Sequence, residues 1–341
     1  MSIRIGLVGY GVGGRLFHAP YIQASEYCNL VGVVARSPHN KAAVAQDLPD
    51  VAIVDSLAEL IALGVDAVVI STPPETRRAL ALEVISSGVA VVADKPFAPS
   101  AAAAEEIATT AEKAGVLLNV FHNRRQDTDI VTALKVQDRL GQLIGLDLRL
   151  DIDEADTLEL GPQGGLLRDL GSHVVDQSIL LMGPARTVTA HLGYIDHESD
   201  PTIARFRIFI EHESGAVSNV SASKIDRLNS RELRIYGTAG TYTSAFNDVQ
   251  IQHIKRGITP SMDRSTWGYE EKDRWGVLTT AAGQEVIPSE QGDYTRFYDD
   301  FAKAVKCGGS GPVPAQEGIE VLKVLDAVLE SAAQGRTINI Q

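Results

Sequence analysis

The sequence predicts a chain of α/β plus α+β class. A doubly wound parallel sheet comes first, followed by an open-faced, mostly antiparallel sheet with helices. Three observations carry this reading. Residues 1–120 alternate short continuous apolar runs with helical stretches of about 10–15 residues, the mark of parallel strands buried on both faces. Beyond residue 125 the runs lengthen and alternate apolar with polar positions, the mark of strands with one wet face. The 341 residues, at about 150 per domain, make two domains, expected at 1–122 and 123–341.

The elements follow in order. Residues 3–8 read as a buried strand, then a glycine cluster and a helix over 14–25. Strands at 30–34, 51–54, 68–70, 89–92 and 116–120 alternate with helices at 38–48, 56–63, 76–87 and 100–114. A helix over 127–140 leads into strands at 144–150 and 204–210; the latter turns at Ser214-Gly215 into 216–225, a hairpin pattern. Strands at 232–236 and 241–244 flank the turn Gly237-Thr238-Ala239-Gly240, and 249–254 alternates as one more strand. Helices over 294–307 and 315–334 close the chain, separated by the loop 308–312, and are expected to pack back on the first domain.

Composition bounds the function. Apolar residues make up 44% and charged residues 22%, ordinary for a globular enzyme. Lys plus Arg number 31 against 44 Asp plus Glu, a formal charge of −13. That balance repels nucleic acid and anionic membrane surfaces, yet leaves room for a small basic pocket. Cys28 and Cys307 stand far apart in no C-x-x-C pattern, which argues against a disulfide framework or a cysteine-built zinc site. His191, His197, His212 and His253 fall in the sheet-rich half without ligand spacing, so no metal site is expected. With no signal-like N-terminus and no apolar stretch near 18 residues, a cytoplasmic protein without a membrane span is expected.

Gly9-Tyr10-Gly11-Val12-Gly13-Gly14 fits G-x-G-x-x-G between the first strand and the first helix, the place where such a loop holds a dinucleotide pyrophosphate in a Rossmann-like domain. Gly9 permits the tight turn, Gly11 the close approach of backbone to the anion, and Gly14 the packing of helix on strand. The helix N-terminus supplies free N–H groups there, so Val12 and Gly13 join the set. After the second strand an NAD-selective site would place Asp or Glu, whereas this chain has Ala35-Arg36-Ser37. Arg36 can pair with a 2′-phosphate and Ser37 can hydrogen-bond it, so NADP(H) is expected over NAD(H).

Two clusters carry candidate chemistry. Ala93-Asp94-Lys95-Pro96 follows the fifth strand, where residues face the ligand crevice of a doubly wound sheet. In Gly164-Gly165-Leu166-Leu167-Arg168-Asp169-Leu170-Gly171-Ser172-His173, Asp169 and His173 are four apart and share a helix face. A carboxylate beside an imidazole fixes its tautomer and raises its basicity, which suits a general base.

The ordered set of Gly9-x-Gly11-x-x-Gly14, Ser71-Thr72-Pro73-Pro74, Asp94-Lys95-Pro96 and Asp169-Leu170-Gly171-Ser172-His173-x-x-Asp176 resembles the Gfo/Idh/MocA oxidoreductases, relatives of glucose–fructose oxidoreductase and inositol dehydrogenase, over essentially the whole chain. The resemblance implies that Lys95 stabilises developing alkoxide charge, that His173 accepts the hydroxyl proton, and that Asp169 is its partner or a direct substrate ligand. It places Ser71, Thr72 and Pro73 with Asp94 and Lys95 near the nicotinamide, and Asn123 and Arg124 in the next crevice loop.

Two departures from the family pattern stand out. Asp94 replaces the commoner Glu, and Arg77 stands where many members carry His. The sequences Phe17-His18-Ala19-Pro20, Phe121-His122-Asn123-Arg124-Arg125 and Trp267-Gly268 look like the branch holding NADP-dependent scyllo-inositol dehydrogenases. His18, Asn123, Arg124 and Trp267 are the candidate substrate contacts. The implied activity is hydride transfer between nicotinamide and a hydroxyl or carbonyl carbon of a polyol, cyclitol or sugar. The alternatives are aldose C1 oxidation or keto-sugar reduction on the same fold, and a non-catalytic NADP-binding regulator. A homodimer or homotetramer through the C-terminal sheet is implied as well.

Overall fold

The computed structural model describes residues 2–160, 164–197, 200–245 and 248–340, without the side chains of His197 and Asp200. The chain divides into two units: Met1–Asn123 with Gln250–Trp267 and Asp293–Ile319, and Arg124–Val249 with Gly268–Gly292 and Glu320–Gln341.

Unit one is built on six parallel strands, β1 (Ile3–Val8), β2 (Cys28–Val34), β3 (Ala52–Val54), β4 (Ala67–Ile70), β5 (Ala90–Asp94) and β6 (Leu118–Phe121), in the order β3-β2-β1-β4-β5-β6. The order reverses between β1 and β4, and ligands of such sheets bind at the carboxyl ends beside that reversal. The connecting helices are α1 (Ala19–Ala24), which continues a π-helical stretch at Gly13–His18, α2 (Pro38–Asp47), α3 (Leu57–Ala62), α4 (Pro74–Ser86) and α5 (Ala101–Ala114). Local sequence sets their ends. Ser37, Ser56 and Ser100 each cap a helix by accepting from the backbone N–H three residues on, and α5 stops at Gly115, whose φ of 66° suits glycine.

Val68, Val69, Ile70, Val91 and Val92 are fully buried, as a sheet covered on both faces requires. The edge strand β6 is itself covered: Asn119 donates to Ser310 O at 2.9 Å and accepts from Val313 N at 2.9 Å.

Unit two carries a nine-stranded sheet. After α6 (Thr128–Val136) come β7 (Leu143–Asp151), α7 (Ser172–Met182), β8 (Ala185–His197), β9 (Asp200–His212), β10 (Val217–Ser223), β11 (Ser230–Gly237) and β12 (Gly240–Ser244). Then follow, in chain order, α8 (Val249–Lys255), which apart from Val249 is in unit one, β13 (Gly276–Thr280), β14 (Gly283–Ile287), α9 (Thr295–Cys307) of unit one, α10 (Ala315–Gln334), which passes into unit two at Glu320, and β15 (Ile338–Asn339). The order is β14-β13-β12-β11-β7-β10-β9-β8-β15, antiparallel except for the β7–β10 pair.

Alternation sorts the two faces of this sheet. Leu146, Leu148, Leu150, Phe206, Ile208, Ile210, Leu233 and Ile235 are buried, and α7 packs on β7 and β10. The opposite face presents Asp147, Arg149, Arg205, Arg207 and Arg234, with Phe209 44% exposed among them.

One predicted strand is a helix. Val249-Gln250-Ile251-Gln252 alternates by coincidence; the buried positions are Gln250 and Ile254, four apart, the spacing of one helix face. Gln250 Oε1 accepts from Trp267 Nε1 and Tyr294 N, both at 3.1 Å, so a polar side chain fills a core position. His253 therefore lies on a helix and not on the sheet. α9, the first of the two closing helices, belongs to unit one, packed on α1, β1 and β2.

Candidate active site

The glycine loop leaves β1 at the reversal of strand order. Gly9 has a φ of 98°, and a Cβ there would lie 2.3 Å from Ser71 O, so turn and close packing both demand glycine. A Cβ on Gly14 would sit 2.1 Å from Gly9 O, so helix and loop touch through backbone alone. Gly13 approaches Ser71 Oγ and Asp94 Oδ2 in the same way. Gly11 differs: a Cβ there meets no protein atom within 4 Å. Packing within the chain does not require glycine at that position, whereas close approach of a pyrophosphate does. The loop therefore fits a dinucleotide.

This contrast makes a prediction. Gly14→Ala is expected to destabilise the protein by about 1–3 kcal/mol through overpacking. Gly11→Ala is expected to leave the melting temperature unchanged and raise the dinucleotide Kd by about tenfold or more. Thermal melts and fluorescence titration of the two variants check it.

Arg36 is exposed directly past β2, and Val12 is 71% exposed on the loop. The Ser37 hydroxyl caps α2 by accepting from Asn40 N at 3.1 Å, which leaves its O–H available to donate.

The carboxyl end of β5 carries the second group. Asp94 accepts from Ser71 Oγ at 3.0 Å and from Lys95 N at 2.8 Å, and His18 Nε2 lies 3.4 Å from Asp94 Oδ2. Burial by itself raises the Asp94 carboxyl. The bond from His18 and the charges of Arg77, His18 and Lys95 outweigh it and hold the group well below the usual carboxylate range. Asp94 thus stays ionised and links the ends of β4 and β5, with Gly13 packed beside it. His18 is fully buried, its Nδ1 2.5 Å from the Tyr298 hydroxyl and its ring 4.2 Å from that of Phe121. Burial pushes the Tyr298 phenol far up, so it remains protonated and able to donate.

In unit two, Asp169 lies in the π-helical turn Leu167–Gly171 and His173 in the first turn of α7. His173 is 6% exposed. Asp169 Oδ2 is held at 3.0 Å by the ammonium of Lys224, which also donates to Thr157 Oγ1 at 2.8 Å and is itself buried. Further along α7, Asp176 accepts the guanidinium of Arg125 at both oxygens, and Gln177 Nε2 donates to Arg124 O at 3.0 Å. The helix that carries His173 is thereby fastened to Arg124 and Arg125 within unit two.

The other sequence candidates are placed as follows. Trp267 is 2% exposed, with its indole N–H given to Gln250 and its ring edge-on to Tyr21 at 6.0 Å. Its ring is enclosed by these neighbours in unit one. His18 likewise reaches solvent nowhere and acts on Asp94. Arg124 pairs with Asp127 at 3.2 Å and Asp248 at 2.9 Å, and Asn123 is buried. Among the described residues no group of three His, Cys, Asp or Glu side chains is placed to hold a metal, and no helix is long and apolar enough to cross a membrane.

Comparison with known proteins decides the family. Residues 3–122 match the NAD-binding Rossmann fold of the Gfo/Idh/MocA oxidoreductases, and residues 158–340 match the C-terminal alpha/beta domain of the same family. The chain belongs to the Gfo/Idh/MocA oxidoreductase family. It is 28% identical to a scyllo-inositol 2-dehydrogenase (NADP(+)) of Bacillus subtilis, over 100% of this chain and 96% of that one. It is 30% identical to the oxidoreductase YdgJ of Escherichia coli, over 99% and 98%. The solved structure of the oxidoreductase YvaA of Bacillus subtilis superposes with a TM-score of 0.90 at 28% identity, covering all of both chains. Membership makes the protein an NAD(P)-dependent oxidoreductase with a two-part α/β fold.

Proposed function

We propose that this family member is an NADP-preferring dehydrogenase acting on a hydroxyl-bearing carbon of a polyol, cyclitol or sugar. The observation that carries the reading is the position of Lys95. It sits just past the carboxyl end of β5, in a turn bonded through Asp94 to Ser71, against which a glycine loop suited to a dinucleotide is packed. The nicotinamide supplies a hydride acceptor or donor when bound. In the oxidation direction Lys95 Nζ donates to the substrate oxygen and stabilises its developing negative charge, while the His173 imidazole takes the hydroxyl proton. Asp169 orients that imidazole, and Lys224 fixes Asp169. Reduction runs the same transfers backwards. The inositol dehydrogenase of Bacillus subtilis, matched along its length, supports a cyclitol or sugar as the substrate class.

The preference for NADP rests on Arg36 and Ser37. A charge-assisted contact is worth about 1.5–3 kcal/mol, or roughly 10- to 150-fold in affinity. Arg36→Ala is therefore expected to raise the Kd for NADP by about tenfold or more and leave that for NAD within about threefold. Equal effects on the two cofactors would contradict the assignment. Titration with both cofactors, following nicotinamide fluorescence, reads it directly.

Association through the polar outer face of the nine-stranded sheet, to a dimer or tetramer, belongs to the same reading. The exposed Phe209 amid Arg205 and Arg207 supports it, and light scattering of Phe209→Asp tests it. Both cysteines are free, in keeping with a reducing cytoplasm.

A further inference from the structure

We infer that Arg77 is a positioning residue for Lys95: its guanidinium locks the turn that presents the lysine. The inference deepens the dehydrogenase reading and rests on it for its catalytic consequence. Arg77 lies in the first half of α4 and is 7% exposed. A buried cation normally pairs with a carboxylate at hydrogen-bond distance. Here the nearest carboxylate contact is Asp94 Oδ2, 3.9 Å from Nη2. The hydrogen bonds go instead to four main-chain carbonyls. Nε donates to Thr72 O at 2.7 Å, and Nη1 approaches Asp94 O at 3.2 Å, Lys95 O at 2.8 Å and Pro96 O at 2.7 Å.

Three consecutive carbonyls aimed at one nitrogen are a specific arrangement. Their dipoles repel one another and hold that geometry only around a cation, the converse of the backbone N–H nest that holds an anion. The cation therefore dictates the path of the Asp94-Lys95-Pro96 backbone, and with it the root of the Lys95 side chain. The Nε bond to Thr72 ties that turn to the end of β4. A lysine cannot reproduce this, because a single compact ammonium does not span the fork from Thr72 to Pro96. Neutral residues lack the charge that gathers the carbonyls.

The test uses Arg77→Lys and Arg77→Gln in the intact protein, first by hydrogen exchange without any substrate. The Lys95 amide, bonded to Asp94 Oδ1, is expected to exchange about tenfold faster in both variants, with the β4 amides unchanged. Exchange within about twofold of the unaltered protein would overturn the inference, as would failure of both variants to fold. Steady-state kinetics then separate positioning from bulk stability. The kcat is expected to fall about 10- to 100-fold with cofactor Kd within about threefold, and the same change in a Lys95→Ala background to cost no more than about twofold. An equal loss in both backgrounds would show that Arg77 does not act through Lys95. Absence of turnover in the unaltered protein would count against the dehydrogenase reading and leave the exchange result to decide on Arg77.

Discussion

Lys95→Ala is expected to lower kcat by about 10²–10³-fold, the usual consequence of removing a donor aimed at a developing oxyanion. Cofactor Kd should stay within about threefold, since the glycine loop and Arg36, to which the proposal assigns that affinity, remain intact. The thermal melt should hardly move: Lys95 is half-buried, and its turn is gathered by Arg77, Asp94 and Ser71 whatever side chain it bears. His173→Gln is expected to cost about 10²–10⁴-fold through loss of proton transfer. On the proposed roles the two losses should be less than additive in the double variant. Stopped-flow hydride transfer measures the step without product release.

Arg231→Met is expected to be the most destabilising single change. Arg231 is buried in unit two, its guanidinium 2.7 Å from Asp127 Oδ2, 2.9 Å from Asp129 Oδ2 and 3.1 Å from Asp129 Oδ1. Both carboxylates are buried as well. Burial raises the Asp129 carboxyl to about 7 against the pull of Arg231, with Asp127 and Glu270 adding to the rise. Removing the cation takes the charge partner from buried Asp129 and leaves buried Asp127 with Arg124. Breaking such a pair costs about 3–5 kcal/mol, which for a protein of this size is a fall of roughly ten degrees in Tm. Adding Asp127→Asn and Asp129→Asn to Arg231→Met should recover most of the loss, because neutral amides do not need the cation. A melt of the triple variant no higher than that of Arg231→Met would contradict this account.

The parallel sheet was readable because its signals are local. The strands of unit one are short, largely apolar runs, α2, α3 and α5 begin at serine caps, and the glycine loop lies within six residues of sequence. The candidate residues stood out for the same reason: Lys95 directly follows a strand, and Asp169 and His173 share one helical stretch. Their supports were not. Lys224 is 55 residues from Asp169, Tyr298 is 280 from His18, and Arg231 is 102 from Asp129, so no spacing rule links them. Arg77 drew notice only as a departure from the family pattern, since nothing in sequence tells a guanidinium serving four carbonyls from a solvated one. The burial of Trp267 and the helix at Val249–Lys255 were both hidden from the sequence. A tryptophan among glycines and polar residues looks exposed until its core partners are known, and a short alternation fits strand and helix alike until burial chooses the period.

The most direct measurement follows nicotinamide absorbance with NADP and with NAD across inositols, aldoses and sugar acids, with Lys95→Ala in parallel. Turnover of a cyclitol or sugar that favours NADP and falls by about 10²-fold or more in Lys95→Ala is the predicted result. Turnover that survives the loss of Lys95 undiminished would contradict the account.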